Sequence, residues 1–226
     1  MRNHMRAAWG ITRAALVVGV MLGPGVAVQA GSIEIFSDEA NSTEGLGSFT
    51  GSLEYEFDPF ADIGFLSVTL TNTSDPDNGG FITGFVFNIA SADTDASATF
   101  TSGSHPFENL TDGGLNAQPF GNPFDAGAAL GGKFLGGGSP TDGIAVGDTG
   151  IFEFDVMAFD AADLTALSFL TGGPYEFNFI VRFKGFENGG SDKVPGTIIP
   201  LPPGLALGGL GLLGAMFGAR RVRRSL

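Results

Sequence analysis

Four stretches of this chain alternate apolar and polar residues with a period of two, and that pattern commits it to antiparallel sheet. "SLEYEFD" sets Leu53, Tyr55 and Phe57 against Glu54, Glu56 and Asp58, and "FLSVTLT" sets Leu66, Val68 and Leu70 against Ser67, Thr69 and Thr71. "IFEFDV" turns Phe152, Phe154 and Val156 to one side. "YEFNFIVRFKGF" does the same with Tyr175, Phe177, Phe179, Val181 and Phe183. Successive strand side chains point to opposite faces, so each stretch has one buried and one wet face. "GFITGFVFNIA" is apolar almost throughout and reads as a central strand covered on both sides. Gly, Asp, Asn and Pro separate these runs. The expected fold is therefore all-β, an antiparallel β-sandwich with jelly-roll-like connections among the options. Only "AADLTALSFL" has helical character, and it is short.

Between Thr101 and Gly147 the alternation stops, and the chain becomes rich in Gly, Pro and Asn. Phe107, Phe120, Phe124 and Phe134 punctuate it, and Pro-Phe recurs at Pro59-Phe60, Pro106-Phe107, Pro119-Phe120 and Pro123-Phe124 without a fixed period. A structureless loop of this length is unusual in a compact domain. The segment is expected to lie over the sandwich, pinned by its Phe residues and carrying short strands, either as a packed cover or as a binding surface.

The two ends differ in kind from the middle. Arg2, Arg6 and Arg13 precede the apolar "AALVVGVMLG", and Val28-Gln29-Ala30 places small residues where a signal peptidase needs them, so residues 1–30 read as a signal peptide cut before Gly31. Cleavage would remove Trp9 and His4. The chain has no Cys, so the exported domain must hold itself together by packing. Residues 31–193 are the expected β-domain. Between Gly31 and Pro195 the only basic residues are Lys133, Arg182, Lys184 and Lys193, four against all 24 carboxylates of the chain, a formal −20. Nucleic acid is excluded as a partner, because phosphate binding needs clustered Lys and Arg. Residues 194–226 form the third unit. Its nineteen uncharged residues from Leu201 to Ala219 would reach about 28 Å as a helix, enough to cross a bilayer. Arg220, Arg221, Arg223 and Arg224 follow, which puts the C-terminus in the cytoplasm and the domain outside. Gly204/Gly208 and Gly214/Gly218 give this span small-xxx-small faces that allow another helix to approach closely.

With Ile199, Pro200, Leu201, Pro202 and Pro203 ahead of that span and the arginines behind it, "VPGTIIPLPPGLALGGLGLLGAMFGARRVRR" resembles the PEP-CTERM sorting signal of Gram-negative bacteria in its Val-Pro-Leu-Pro-Ala variant. Here Ile199 stands where Val is usual and Pro203 where Ala is usual. The resemblance covers roughly the last 30 residues. It implies processing near the Pro motif by exosortase, a membrane-embedded cysteine transpeptidase, passage through the inner membrane, and delivery to the cell surface or exopolysaccharide matrix. "GIAVGDTGIFEFDV" and "VRFKGFENGGSDKV" also resemble a turn-strand unit and a closing strand common in proteins carrying this signal. They support the fold and leave the ligand open.

Chemistry in the middle section is sparse. After cleavage the one imidazole is His105, in the long loop beside Pro106 and without a nucleophile motif, so it reads as a surface histidine. With no Cys and one His a structural zinc site is excluded. Oxygen-rich turns suit calcium: "SDPDNGG" supplies Asp75, Asp77 and Asn78, and "ADTD" supplies Asp93 and Asp95, the two turns flanking one strand at opposite ends. Plain polar turns are the alternative, since Asp and Asn tolerate turn geometry. Glu54 and Glu56 on a wet strand face leave a glycoside hydrolase open but read first as a solvated face. A strong lectin is disfavoured, because the mature domain lacks Trp and its two Tyr residues read as inward-facing. Three Asn-x-Ser/Thr sites, at Asn41, Asn72 and Asn109, read as chance in a bacterial protein. The sequence thus describes an exported, non-catalytic component of the cell surface or matrix. A calcium-assisted polysaccharide-binding or adhesive protein is the alternative, and a secreted glycoside hydrolase comes third.

Overall fold

A computed structural model describes residues 31–111 and 113–198, and in them the alternating stretches are strands of an all-β antiparallel fold. The strands are β1 (Gly31–Ser37), β2 (Phe49–Asp58), β3 (Ile63–Asn72), β4 (Gly79–Phe87), β5 (Ser97–Gly103), β6 (Phe107–Asn109), β7 (Ala126–Leu130), β8 (Thr149–Met157), β9 (Phe179–Phe186) and β10 (Ser191–Thr197). They hydrogen-bond in the order β5-β8-β3-β2-β1-β10-β9-β4-β7-β6. Two five-stranded halves meet where β1 pairs β10 at Phe36–Thr197 and Ser37–Gly196. At the other end β5 and β6 come together without a ladder, joined by the Phe100 amide donating to Asn109 Oδ1 at 2.9 Å. The ring of strands is therefore nearly closed, like a flattened barrel.

Pleat and register decide what lies inside. Leu53 and Tyr55 of β2, Leu66, Val68 and Leu70 of β3, and Phe152, Phe154 and Val156 of β8 are all buried in one apolar core, as their alternation requires. From the other half Phe85 and Phe87 of β4 and Phe179, Val181 and Phe183 of β9 meet them. Phe85 lies at the centre, with ring centroids of Phe152, Phe154 and Phe179 within 5.9 Å. Such tilted and offset pairs add about 0.5–1.5 kcal/mol each beyond the area they bury, which suits a core without disulfides. Close packing here leaves no room for a side chain at Gly64, where an added Cβ would fall 2.2 Å from Tyr55 Oη.

β4 is apolar on both faces because both faces are covered. Ile82, Phe85 and Phe87 enter the main core, while Val86 joins a second cluster with Leu110, Leu115, Ala117, Phe124, Ala129, Phe134 and Ile180 on the outer side of the sheet. That second cluster is the underside of the long Gly/Pro segment, so the segment is a packed cover. Phe124 and Phe134 pin it, Phe107 enters the main core instead, and β6 and β7 are the short strands within it. Its end folds back on β7 through left-handed backbone at Gly137 and Gly138, where a Cβ on Gly138 would fall 2.3 Å from Leu130 Cβ.

Three expectations need adjustment. "AADLTALSFL" forms two 3₁₀ turns, Ala161–Asp163 and Ala166–Phe169, instead of one helix. Leu164 and Thr165 between them are extended, and Thr165 starts the second turn through reciprocal cap bonds with Ser168. Tyr175 and Phe177 precede β9 and are only half-buried, because they pack against the second cluster under the cover instead of entering the main core; Asn178 Nδ2 donates to the Tyr175 carbonyl at 2.9 Å. Finally, β10 runs through the boundary expected after Lys193: Val194 is fully buried and the ladder continues to Thr197.

Candidate functional surface

The outward residues of the β1, β2, β3 and β8 half form an acidic face. Register puts Ser32, Glu54, Ser67 and Glu153 in one row across the four strands, and Glu56, Phe65 and Asp155 in the next. Glu34 lies opposite Ser52, on the same face. Ser67 Oγ donates to Glu153 Oε1 at 3.0 Å, whereas Glu54 and Glu56 are exposed. Phe65 and Ile151, 42% and 48% exposed, are large apolar side chains among these carboxylates. Glu54, Glu56, Phe65, Ser67 and Glu153 line a hollow of about 150 Å³. Small-molecule sites usually occupy about 300–1,000 Å³, so this face is a surface and not a pocket.

On the other half the basic residues lie on β9 and β10, with Glu44 close to Lys193. Strand alternation puts Arg182 and Lys184 of β9 and Lys193 of β10 on the outer side, with Lys193 directly opposite Arg182. Phe81 of β4 is the register neighbour of Lys184. Arg182 is nearly buried beneath the cover, and its Nη1 donates to the carbonyl oxygens of Phe134 and of Gly136, at 3.2 Å for the second. The stem of Lys133 packs over Gly136, where a Cβ would lie 3.7 Å from Lys133 Cβ. All four cations expected in this part of the chain thus gather on one side. Burial lowers the Arg182 pKa from its ordinary value. Lys184 and Lys193 are pushed down as well, first by burial and then by the Arg182 charge.

The residues proposed for calcium sit in two turns at opposite ends of β4. Asp75 Oδ1 accepts from the Asp77 amide at 2.9 Å, and the Asn78 amide donates to the Asp75 carbonyl at the same distance. Asp75 and Asn78 also line an open, polar groove of about 410 Å³ with Glu39 and Ser48. In the second turn Asp93 Oδ1 accepts from the Asp95 amide and Oδ2 from the Phe159 amide, at 2.9 and 2.8 Å. Asp160 returns the contact: its Oδ2 accepts from the Ala92 amide at 2.7 Å and its Oδ1 from Ser91 Oγ. These bonds hold the Asp160 carboxyl below the usual carboxylate range. Two carboxylates thus cross-link two loops. Among the described residues, no group of three or more His, Asp and Glu is placed to hold a metal ion.

His105 Nδ1 lies 3.0 Å from Ser104 Oγ, and its ring packs against Phe107 and Phe152. Ser104 is engaged elsewhere, since its Oγ accepts from the Ile151 amide at 3.0 Å. Val28 and Ala30 of the signal cleavage site, and the sorting residues Ile199, Pro200, Leu201, Pro202, Pro203, Arg220, Arg221, Arg223 and Arg224, lie outside the described residues. Among the described residues no helix is long and apolar enough to cross a membrane.

Two residues that matter most were not legible as such in the sequence. Asp192 is fully buried and accepts from Thr43 Oγ1 and from the amides of Glu44, Leu46 and Gly47. In "GGSDKV" it looks like one more turn residue. Arg182 looks like the wet side of a strand, and only the position of the cover shows that it is a clasp. The chain matches no family model, no curated protein and no solved structure.

Proposed function

We propose that the protein is an exported, non-catalytic structural component of the cell surface or extracellular matrix, sorted through its C-terminal PEP-CTERM-type signal by exosortase after signal peptidase has acted. The observation that carries this reading is the order of Pro motif, uncharged Gly/Leu-rich span and arginine cluster in residues 199–224. The fold supplies a compatible context. We read the flattened barrel as a β-sandwich; its last strand ends at Thr197, so the Pro motif follows the folded part within two residues. A cut there leaves the sandwich intact. The test replaces Pro200, Pro202 and Pro203 with Ala and follows the protein by fractionation in a host with and without exosortase. Surface delivery should require both the prolines and the enzyme; equal delivery of the variant in both strains would refute the reading.

A calcium-assisted polysaccharide-binding role is the second reading, and the open groove lined by Glu39, Asp75 and Asn78 is what favours it. Retention on exopolysaccharide that disappears with chelator would select it over the first.

A further inference from the structure

The described chain enters and leaves at the same end of the sandwich. β1 starts there at Gly31, opposite Tyr55 of β2, and β10 runs antiparallel to β1, so its last residues head back toward that end. Register brings the β2–β3 hairpin and the close of β8 to it as well, since Asp58 pairs Ile63, Gly64 pairs Val156 and Ser97 pairs Met157. Large apolar side chains gather at this end in the open: Phe60 at the hairpin tip is 98% exposed and Phe159 78%, with Met157 and Leu167 exposed beside them in sequence and register. Both aromatic residues are held by carboxylates. Asp58 Oδ1 accepts from the amides of Phe60 and Ala61 at 2.7 and 3.3 Å, and Asp93 Oδ2 accepts from the Phe159 amide at 2.8 Å. Behind them the end is plugged, because Tyr55 Oη donates to the Ala161 carbonyl at 2.7 Å and stacks its ring 5.2 Å from Phe169. Leu164, Ala166 and Phe169 of that plug enter the main core, and Leu167 stays outside.

We propose that this end of the sandwich rests in a lipid surface, with Phe60, Met157, Phe159 and Leu167 entering the headgroup boundary of the bilayer that the C-terminal segment crosses. The inference rests on the reading of Leu201 to Ala219 as a membrane span, whether that span is a sorting signal or a plain anchor. Ile198 still packs against the main core, which fixes where the chain leaves the domain. Only Ile199 and Pro200 separate it from Leu201, three residue steps that reach about 11 Å at full extension. So short a tether keeps the four apolar residues at the surface and turns a weak contact into an intramolecular one. Aromatic and long apolar side chains suit that boundary layer. Asp62, Asp95 and Asp163 are exposed at the same end, so the surface it fits is one of electrically neutral headgroups, and anionic lipid opposes the contact. Cutting the chain near the Pro motif removes the tether, and the domain then leaves the bilayer.

The test uses the full chain from a host without exosortase, carrying Trp9→Phe and reconstituted in phosphatidylcholine vesicles with either ordinary or brominated acyl chains. Trp9 is the only Trp of the sequence, so one introduced Trp then reports its own surroundings. Phe60→Trp and Phe159→Trp should each shift their emission to the blue and lose intensity in brominated lipid. Asp77→Trp, in the β3–β4 turn at the far end, should do neither. Adding Met157→Ser and Phe159→Ser to the Phe60→Trp protein should weaken its quenching, an effect that a tether alone would not produce. The quenching should persist at about 1 M salt, where charge attraction is screened within about 3 Å. Equal emission of the Phe60→Trp protein in the two lipids, in chains that float with the vesicles, overturns the proposal. So does quenching that is indifferent to the loss of Met157 and Phe159. A chain that does not float with the vesicles overturns the reading of the span, and the proposal with it, whereas dependence on exosortase is decided separately by the sorting experiment above.

Discussion

Asp192 accepts the Gly47 amide through Oδ2 at 3.0 Å, inside a protein whose carboxylates otherwise face outward in large number. The same side chain takes Leu46 N, Glu44 N and Thr43 Oγ1, so one carboxylate at the start of β10 organises the whole loop entering β2. Hydrogen bonds to charged groups contribute about 1.5–3 kcal/mol each, and buried donors left without acceptors cost about 1–3 kcal/mol. Asp192→Ala should therefore destabilise the domain by about 3 kcal/mol or more and raise hydrogen exchange first at residues 44–47. Asp192→Asn, which keeps the shape but loses charge and one acceptor, should lie between the two. Equilibrium denaturation of the three proteins checks the order.

Tyr55 gives an alkaline signature. Its hydroxyl donates to the Ala161 carbonyl at 2.7 Å, and burial, with a smaller push from Asp160, raises its pKa to about 12 from 10.0. The folded state thus favours the protonated phenol. Stability from this group is complete below about pH 10, the unfolded value, and is lost as pH rises toward the folded value of about 12. Tyr55→Phe should cost about 1–3 kcal/mol at neutral pH, because a buried carbonyl loses its donor. The gap between the two proteins should shrink above pH 10, and a gap independent of pH would contradict this environment for Tyr55.

The cover should loosen without unfolding the domain. Phe134 is fully buried in the smaller cluster, and its carbonyl anchors Arg182. Phe134→Ala should cost about 3–5 kcal/mol by the usual scale for such truncations. Because the main core is separate, proteolysis should first nick residues 131–138 while β2, β3 and β8 remain protected. Arg182→Met should produce the same local nicking with a smaller loss. Uniform loss of protection across all strands would show instead that the cover and core melt together.

Asp93 distinguishes a turn from a cation site. Both of its carboxylate oxygens accept backbone amides, from Asp95 and Phe159. Asp93→Ala should therefore destabilise the loop pair by about 1–2 kcal/mol in chelator as much as in calcium. A penalty that appears only when calcium is present would favour the second reading of function.

How far the sequence could be read depended on whether a residue's role was local. The alternation around Leu53, Val68 and Phe154 is a property of single strands, so strands and core could be read from it directly. Tyr175 continued the same lettering, yet it lies before β9 and packs half-buried against the second cluster under the cover. Phe124 and Phe134 announced a pinned cover, but the outer face of β4 that receives them depends on strand order. Arg182, Lys184 and Lys193 share a face with Lys133 nearby only because β9 pairs β10 and the cover folds over Arg182. Long-range pairing of that kind leaves no mark in a single stretch of sequence. Asp192 was hidden for the same reason, since its partners lie about 145 residues away along the chain.

The most direct test of the account is the intact mass of the protein recovered from the surface of a host that carries exosortase, beside the mass from the same host without it. The account predicts a surface form that begins at Gly31 and has lost everything beyond the Ile199 to Pro203 region, present only with the enzyme. A chain that keeps Arg220 to Arg224 and remains in the inner membrane in both strains would contradict it, and the C-terminal segment would then be a plain anchor.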